Sequence, residues 1–314
     1  MRLAARLGGR VGGLALVFLG VTLIIYLAVF ALPGDPIRAF LGPKQVPETT
    51  IEALRVKYHL NDPIWVQYWD YISGIFRGDF GTNFAGRPVA DQMSARWPVT
   101  IALGLTAWVM EIVAGVAIGI VSALRKGKWL DYSLLAFTVL ASCIPVFVMG
   151  LVAQLVFGVK LGWLPVAGLA QGWPKSYLLP AAIIAIFGLP AVSRLVRGAM
   201  VESLEAEYVT MLRAHGMRQS RIVSVHALRN SLIPASTYLA TDLGYLLGGS
   251  VIIEGIFNLP GVGNLLFEAI KAHEGTTVVG VATALIVVFL LTSLLIELLH
   301  ALLDPRIRRG GRHA

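Results

Sequence analysis

The sequence is poor in charge and in cysteine. Only 14% of its 314 residues are charged, whereas 56% are hydrophobic, and the mean hydropathy is +0.74. A soluble chain of this length would form about two domains with well-charged surfaces, so the composition excludes that class and indicates a polytopic membrane protein. The single cysteine, Cys143, lies in an apolar run, which excludes a disulfide within the chain and a thiolate metal site.

Motifs for nucleotide binding and catalysis are also missing. The phosphate-binding pattern G-x-x-x-x-G-K-[ST] is absent, since Gly127-Lys128 is followed by Trp129 and lacks the upstream glycine. The sequence contains no H-E-x-x-H zinc helix and no G-x-S-x-G nucleophile turn. We therefore expect that this chain is not an enzyme and binds no cofactor itself, so that the energy for active transport would come from another polypeptide.

Six apolar runs reach or approach the roughly 20 residues that a helix needs to cross a hydrocarbon core of about 30 Å. They are predicted at Val11–Leu32, Val99–Leu124, Tyr132–Gly158, Pro180–Val196, Ile233–Ile256 and Val278–Leu303. Two small-residue pairs, Gly115-x-x-x-Gly119 and Gly244-x-x-x-Gly248, are candidates for close helix packing. The expected fold class is an all-α polytopic membrane protein with six spans.

The hydropathy pattern divides the chain into four parts. Residues 1–32 are a cytoplasmic N-terminus and a first helix that is too long for the apolar region of a signal peptide. Residues 33–97 are rich in aromatic side chains but lack a membrane-length run, which predicts an extracytoplasmic segment at the membrane interface. Residues 98–304 form a five-helix core with a polar cytoplasmic loop at 201–232, and residues 305–314 form a cytoplasmic tail.

Basic residues set the expected orientation. With the N-terminus inside, most Lys and Arg of the short connections lie on the inner side, as the positive-inside rule requires; the long outer segment counts little toward that rule. Both termini and the polar loop are therefore predicted to be cytoplasmic. The net charge of +8 then reflects topology and contact with membrane lipid, and no nucleic-acid partner is expected.

Val201–Pro234 is the only long polar stretch between apolar runs that carries dense positive charge. One apolar helical face is predicted from the spacing of Leu204, Tyr208, Met211 and Leu212. Gly216 can end that helix in the left-handed conformation without steric cost. A second helical pattern begins at Ile222, and Pro234 is expected to mark the start of the next membrane helix.

A motif in this stretch resembles the "EAA" loop of ABC importer permeases, in the form found in peptide importers. It comprises Tyr208, then Arg213-Ala214-His215-Gly216, nine further residues, His226-Ala227-Leu228-Arg229-Asn230, and Pro234. Thr210-Met211-Leu212 stands where the name-giving Glu-Ala-Ala would be. From periodicity alone, a solvated connector between two membrane helices would fit as well.

The resemblance implies that the loop forms a short coupling helix in a groove of a cytoplasmic ATPase subunit. The implied coupling residues are Tyr208, Arg213, Ala214, Gly216, His226, Ala227, Leu228, Arg229, Asn230 and Pro234. A second stretch, residues 60–103, resembles the outer segment of the first permease subunit of dipeptide and oligopeptide importers. Its core is Gly78-Asp79-Phe80-Gly81-Thr82 with Arg87-Pro88-Val89.

Together the two stretches imply the permease subunit of a peptide-type ABC importer in the cytoplasmic (inner) membrane. The implied partners are a second, related permease, two cytoplasmic ATPase subunits or one fused ATPase, and an external substrate-binding protein. The partner ATPases would bind ATP and Mg²⁺, and this chain would supply half of a pathway for di- or oligopeptides.

Acidic residues inside apolar runs are candidates for that pathway. Glu111 and Asp242 lie in predicted spans, Tyr245 follows Asp242 by one turn, and Glu254 lies near the end of a span. A charge at this depth costs about 2.5–3.5 kcal/mol and tends to face a cavity or a partner. An ion-coupled secondary transporter with Asp242 or Glu111 as its proton site is an alternative, although it would predict internal hydropathy repeats that we do not find. A membrane-embedded hydrolase would need a nucleophile–base pair, which is missing.

Overall fold

The computed structural model describes residues 2–31, 37–38, 46–57 and 61–303, which form helices joined by turns, with one isolated β-bridge between Thr82 and Pro88. In chain order the helices are α1 (Arg2–Phe30), α2 (Glu48–Lys57), α3 (Ile64–Ile75), α4 (Val89–Ser94), α5 (Trp97–Leu124), α6 (Trp129–Ser142), α7 (Val146–Ala153), α8 (Lys175–Glu205), α9 (Glu207–Ala214), α10 (Gln219–Arg221), α11 (Leu228–Gly249), α12 (Val251–Ile256), α13 (Val262–Lys271) and α14 (Gly275–Leu303). Two π-helical segments, Gln154–Lys160 and Ile222–Ala227, follow α7 and precede α11.

Four helical stretches are long and apolar enough to cross a membrane: Gly12–Phe30, α5, α8 and Gly275–Ile296. Helices α6 and α7, the latter with its π-helical continuation, are bent by 99° at the break between them and would count as a fifth span if they cross together. Among the described residues α11 does not meet the same criteria. The all-α membrane fold is therefore confirmed, and six spans stay a prediction. The predicted tail, residues 305–314, lies outside the described residues.

Prolines affect the predicted spans in different ways. The break at Pro145 separates α6 from α7, because the residue before a proline is pushed out of the helical conformation. Pro180 and Pro190, by contrast, both lie inside α8, which continues to Glu205 and so extends well beyond the predicted end at Val196. Membrane helices tolerate such prolines because neighbouring groups satisfy the freed backbone carbonyls.

The prediction that Pro234 starts a new helix was wrong. Pro234 lies inside α11, and the π-helical turn at Ile222–Ala227 leads directly into that helix. The predicted span Ile233–Ile256 is instead divided at Ser250, between α11 and α12.

The chain divides into two compact units, of which unit 1 comprises Met1–Thr100 and Pro260–Leu291. Its aromatic helix α3 packs along α1, where the Tyr68 hydroxyl donates to the Leu19 carbonyl at 2.9 Å and lies 3.0 Å from the Thr22 hydroxyl. The Tyr71 hydroxyl donates to the Thr283 hydroxyl of α14 at 2.6 Å. Hydrogen bonds from tyrosine hydroxyl groups therefore attach α3 to the sides of α1 and α14.

Unit 2 comprises Ile101–Leu259 and Thr292–Ala314, and α8 lies at its centre. Gly115 and Gly119 of α5 face Val192 and Val196 of α8, and a Cβ atom at either glycine would lie 2.7 Å from a valine carbon. This contact confirms the predicted packing face of the first glycine pair, since only glycine allows so close an approach. Gly248 of the second pair has no such neighbour within 4 Å in the described chain.

Helix α11 packs against the same stretch of α8. Val192 and Val196 form a buried cluster with Ala235 and Leu239 of α11, and the Trp108 indole N–H donates to the Leu239 carbonyl at 2.9 Å. Helices α5, α8 and α11 therefore form one packed group, which holds the residues of the candidate site.

Candidate functional site

The polar stretch after α8 forms a short helix, a tight turn and a second helical stretch. Ala206 adopts an extended conformation that separates α8 from α9, and the Tyr208 hydroxyl hydrogen-bonds to Ser203 across this break. Gly216 has φ +75° and nothing within 4 Å of an added Cβ atom, so the prediction that Gly216 ends the helix is confirmed. The break at Ala206 was not predicted, because alanine carries no signal for a helix end.

Four of the predicted coupling residues line one open groove. The groove has a volume of about 570 Å³ and is lined by Tyr208, Val225, His226, Arg229 and Asn230. These residues come from α9, from the π-helical segment and from the first turn of α11. The polar side chains of the groove end in the phenol of Tyr208, the imidazole of His226, the guanidinium of Arg229 and the amide of Asn230. These groups are mainly hydrogen-bond donors, so the groove suits a partner surface that presents carboxylates or carbonyls.

Two other predicted coupling residues lie at the turn. The Arg213 Nε–H donates to the Gln219 side-chain carbonyl at 3.3 Å, across the turn made by Gly216. Ala214 is the last residue of α9 and is exposed. The turn is therefore held by its own side chains as well as by the glycine.

The remaining predicted coupling residues lie beneath the groove or beyond it. Ala227 is fully buried in a cluster with Ala123 and Met200, and Leu228 packs against this cluster. These side chains fix the shape of the segment and contribute little to its surface. Pro234 is exposed on α11, beyond the groove.

Sequence reasoning missed an ion pair that ties the neighbouring basic turn to α8. The Arg197 Nε and Nη2 atoms donate to the two Asp131 carboxylate oxygens at 2.7 and 2.6 Å, and the Asp131 side chain is fully buried. The Gly127 N–H donates to the same carboxylate at 3.0 Å. An acidic residue in the first turn of α6, just after a basic loop, is the signal that could have suggested a fixed helix start.

Two of the three residues proposed for the pathway come together deeper in unit 2. The Glu111 carboxyl group is fully buried against Gly188, where an added Cβ atom would lie 1.9 Å from a Glu111 oxygen. It is close enough to interact with the Asp242 carboxyl group. Among the described residues, neither Glu111 oxygen nor Asp242 Oδ2 has a hydrogen-bond partner of standard geometry.

Asp242 lies beside an exposed row of polar side chains on α11, which we call the α11 polar stripe (Thr237, Thr241 and Tyr245). Tyr245 is 62% exposed. The Thr241 hydroxyl donates to the Thr237 carbonyl at 3.1 Å, a local bond that lipid would tolerate. A carboxylate is not tolerated in the same way, so Asp242 indicates that this face of α11 meets water or protein.

The third acidic residue has a different environment. Glu254 is fully buried and accepts a hydrogen bond from the Ser250 hydroxyl at 2.8 Å. This bond spans the break between α11 and α12, so Glu254 stabilises the local backbone path. It does not belong to the α11 polar stripe.

Apolar helices of membrane length and a polar segment between them define a multi-pass membrane protein. Comparison with known proteins gives its family. Residues 115–309 match the family described as binding-protein-dependent transport system inner membrane component, and residues 5–104 match the N-terminal part described for the same systems. The chain belongs to this family of ABC importer permeases and is therefore an inner membrane protein.

Curated relatives match along nearly the whole chain. The glutathione transport system permease protein GsiC of Escherichia coli (strain K12) is 34% identical over 289 residues, which cover 92% of this chain and 94% of the relative. The protein of the same name from Salmonella typhi is 33% identical over 300 residues, covering 95% and 97%. The predicted resemblance to ABC importer permeases is confirmed.

A solved structure supports the fold independently. The MetNI methionine ABC transporter in an inward-facing conformation aligns with a TM-score of 0.55 at 18% identity, over 68% of this chain and 96% of that chain. At this identity the likeness shows the fold alone. About two thirds of this chain therefore has the fold of that chain.

Proposed function

We propose that this chain is one of two related permeases of an ATP-driven importer of di- or oligopeptides. Its six spans, with both termini in the cytoplasm, would form half of the pathway. An external binding protein would deliver the substrate, and two ATPase subunits or one fused ATPase would bind ATP and Mg²⁺. The names of the relatives support a peptide-like substrate, since glutathione is itself a tripeptide.

The groove lined by Tyr208, His226, Arg229 and Asn230 is the observation that carries the coupling part of this proposal. The groove gathers these hydrogen-bonding side chains on one surface beside α9, where groups of a partner could be received, whereas a solvated connector needs no such grouping. The groove and α9 together would form the contact with the ATPase. This assignment favours the ATP-driven importer over an ion-coupled transporter, for which a donor-rich groove away from the apolar helices has no role.

The contacts of the segment explain how movement of an ATPase would reach the spans. Tyr208 is hydrogen-bonded to Ser203 of α8, and the cluster of Ala123, Met200 and Ala227 joins the ends of three helical stretches. Movement of α9 would therefore move α8 and α11 together as a rigid body, because packed side chains do not deform continuously. Closure of the ATPase dimer would open the pathway outward, and hydrolysis would return it inward.

Two substitutions in the purified complex test the coupling role. Gly216→Val should strain a backbone that needs positive φ, and Arg229→Glu should reverse the charge of the groove. Both complexes should assemble but lose the ATP hydrolysis that the binding protein stimulates, measured as phosphate release in proteoliposomes.

Matched controls separate coupling from general damage. Gly172 also has a positive φ of +63° and free space around it, so Gly172→Val applies similar strain elsewhere. Arg221 is exposed and does not line the groove, so Arg221→Glu reverses a charge nearby. Normal stimulated hydrolysis in Gly216→Val and Arg229→Glu would show that the segment is only a connector.

A further inference from the structure

We propose that α3 and the turn after it (residues 64–82) form a re-entrant segment, which enters the membrane beside α1, turns back within it and leaves along α14. One face of α3 would contact lipid hydrocarbon, and a second face would meet water together with the turn. The inference requires only that α1 and α14 cross the membrane. With the proposed orientation the segment lies in the outer leaflet, deeper than the interface location that its aromatic content predicts.

Helices α1 and α14 provide a common level from which depth can be counted. Both helices contact α3 within unit 1. The apolar stretch Gly12–Phe30 has 19 residues, about 28 Å of helix, which matches a hydrocarbon core of about 30 Å. An added Cβ atom at Gly275, the first residue of α14, would lie 2.8 Å from Val29 and 3.3 Å from Phe30. The end of α1 and the start of α14 therefore lie together at one edge of the hydrocarbon core.

The hydrogen bonds of α3 lie well below that edge on both helices. The Tyr68 hydroxyl lies 3.0 Å from the Thr22 hydroxyl, and the Tyr71 hydroxyl donates to the Thr283 hydroxyl at 2.6 Å. Thr22 is eight residues from the end of α1, and Thr283 is eight residues from the start of α14, which in each case is about 12 Å along the helix. Two helices thus give the same depth independently.

Helix α3 descends beside α1. Near its start, the Gln67 side-chain carbonyl accepts a hydrogen bond from the Tyr26 hydroxyl at 3.3 Å. Just after its end, the Phe76 ring lies 6.4 Å from the Phe18 ring, measured between centroids. The position in α3 rises by nine residues while the position in α1 falls by eight. Helix α3 is therefore nearly antiparallel to α1, and its C-terminal end is its deepest part.

The chain then returns along α14. An added Cβ atom at Gly280 would lie 2.5 Å from the Phe80 carbonyl oxygen, and the Phe84 N–H donates to the Glu274 carboxylate at 3.0 Å. Glu274 directly precedes α14. Between residues 80 and 84 the chain has therefore climbed back to the edge from which α3 descended, which completes the re-entrant path.

The turn at the bottom of this path has the hydrogen bonds that the membrane interior demands. The Arg77 and Asp79 N–H groups both donate to the Gly74 carbonyl, at 2.8 and 3.0 Å, and the Gly78 N–H donates to the Ile75 carbonyl at 2.9 Å. Gly78 has φ +80°, which closes the turn without steric cost. Irregular backbone is tolerated at membrane depth where it is buried in protein or lines a water-filled cavity.

One exposed side of α3, which we call the aromatic face (Trp65, Trp69 and Phe76), fits lipid. These residues are spaced by four and seven positions, so they share one side of the helix, and they are 64%, 68% and 78% exposed. The apolar side chain of Ile24 in the α1 span is likewise exposed. Because the aromatic face lies at the depth of such lipid-facing side chains, lipid hydrocarbon is the partner that its surface fits.

The other exposed side of α3 and the turn carry charge. Asp70 and Arg77 are exposed and seven positions apart, on a side of α3 different from that of the aromatic face, and Asp79 is exposed in the turn. Charged side chains at membrane depth face a cavity or a partner because lipid is too costly for them. The charged side therefore meets water, and α3 separates lipid from a water-filled cavity.

Site-directed spin labelling of the purified complex in lipid nanodiscs tests this placement. The single cysteine is first removed by Cys143→Ser. Nitroxide labels are then attached at three positions of the aromatic face: Trp65→Cys, Trp69→Cys and Phe76→Cys. Electron paramagnetic resonance measures how often each label collides with oxygen, which concentrates in hydrocarbon, and with a water-soluble nickel chelate. Exposed Ile24→Cys is the matched reference for lipid, and exposed Ala85→Cys, after the chain has returned, is the reference for water.

The ratio of oxygen to nickel collisions should be several-fold higher on the aromatic face than at Ala85→Cys. It should rise from Trp65→Cys to Trp69→Cys, which lies about 6 Å further along the helix, and stay high at Phe76→Cys. A helix lying flat on the membrane would give no such rise. The three labels also keep the test decisive if one variant fails to assemble.

A label on the charged side separates a two-sided helix from simple depth. Arg77→Cys lies further along the descending path than Trp69→Cys, yet it should collide with the nickel chelate several-fold more often. Equal ratios at these two positions would overturn the water-filled side. Ratios on the aromatic face as low as that of Ala85→Cys would place α3 outside the membrane. Few collisions with either reagent would show that a partner subunit, and not lipid, covers the aromatic face.

The same preparations separate this inference from the proposed function. Stimulation of ATP hydrolysis by the binding protein reports on the importer role, whereas the collision ratios report on the position of α3. A complex that is stimulated but has water-exposed aromatic labels would refute the re-entrant segment alone, and one that is not stimulated but has lipid-exposed labels would refute the importer role alone.

Discussion

Two fully buried carboxyl groups in unit 2, Asp131 and Glu111, have opposite surroundings. Asp131 accepts two hydrogen bonds from Arg197 and one from the backbone of Gly127. Glu111 meets a second acid, Asp242, and neither Glu111 oxygen has a hydrogen-bond partner of standard geometry among the described residues. Both acids lie on helices that pack against α8, so the difference is one of local chemistry and not of architecture.

The difference separates a buried acid with a complete set of partners from one that has no cationic partner in the described part of the chain. A buried charge with a complete set of partners holds elements in place, and removing one partner leaves the other uncompensated. A buried acid that meets only a second acid lacks such a counter-charge. The comparison therefore predicts that breaking the Asp131 pair costs more stability than a change beside Glu111.

The largest effect is expected from breaking the structural pair. Arg197→Ala should lower the free energy of unfolding by about 3 kcal/mol or more, because Asp131 then stays buried with an uncompensated charge. The measurement is the thermal unfolding midpoint of the purified complex. The double variant Arg197→Ala/Asp131→Ala should be more stable than Arg197→Ala alone, since it removes that charge. Equal or additive losses would show that the two side chains are not energetically coupled.

A smaller effect is expected where Glu111 meets the backbone. Gly188→Ala places a Cβ atom 1.9 Å from a Glu111 oxygen, so the acid must move, at a cost of about 1–3 kcal/mol in unfolding free energy. The added substitution Glu111→Ala should recover most of that loss. Gly198, in the same helix, has nothing within 4 Å of an added Cβ, so Gly198→Ala should be neutral or stabilising by up to about 1 kcal/mol.

Thermal unfolding of all three variants measures these changes. If Gly188→Ala is as well tolerated as Gly198→Ala, the close contact between Glu111 and α8 is not a feature of the protein in its membrane. If the loss is not recovered by Glu111→Ala, the strain arises from other neighbours of Gly188.

Much of the fold was predictable because membrane helices have a strong signal. All six predicted runs fall on helices within the described residues, although two of the runs are divided, and the glycine at 216 ends α9 as predicted. Helix continuity was harder to predict, since Pro145 separates two helices whereas Pro190 and Pro234 lie inside helices. A proline removes the same backbone donor at each position, and whether the helix continues depends on neighbours that are distant in sequence.

The candidate site was predictable only in part. The spacing of Tyr208, His226, Arg229 and Asn230 identified residues that the fold then brings to one groove. The contact of Asp131 with Arg197 joins positions 66 residues apart, and the meeting of Glu111 with Asp242 depends on the packing of α5 and α11 around α8. Neither pair has a local pattern, so the cost of burying a charge identified Glu111 and Asp242 but not their meeting, and it did not identify Asp131 at all.

The smallest effect is expected from the ion pair between Lys126 and Glu205. It lies close in the chain to the Asp131–Arg197 pair, but its side chains are 50% and 63% exposed. Water and salt screen an exposed pair, which is worth about 0–1 kcal/mol, so Glu205→Gln should shift the unfolding midpoint little and less still at high salt. Unfolding scans at low and high ionic strength measure this. A loss as large as that of Arg197→Ala would mean that Glu205 is buried in the assembled complex, which would make this end of α8 part of the contact with a partner subunit.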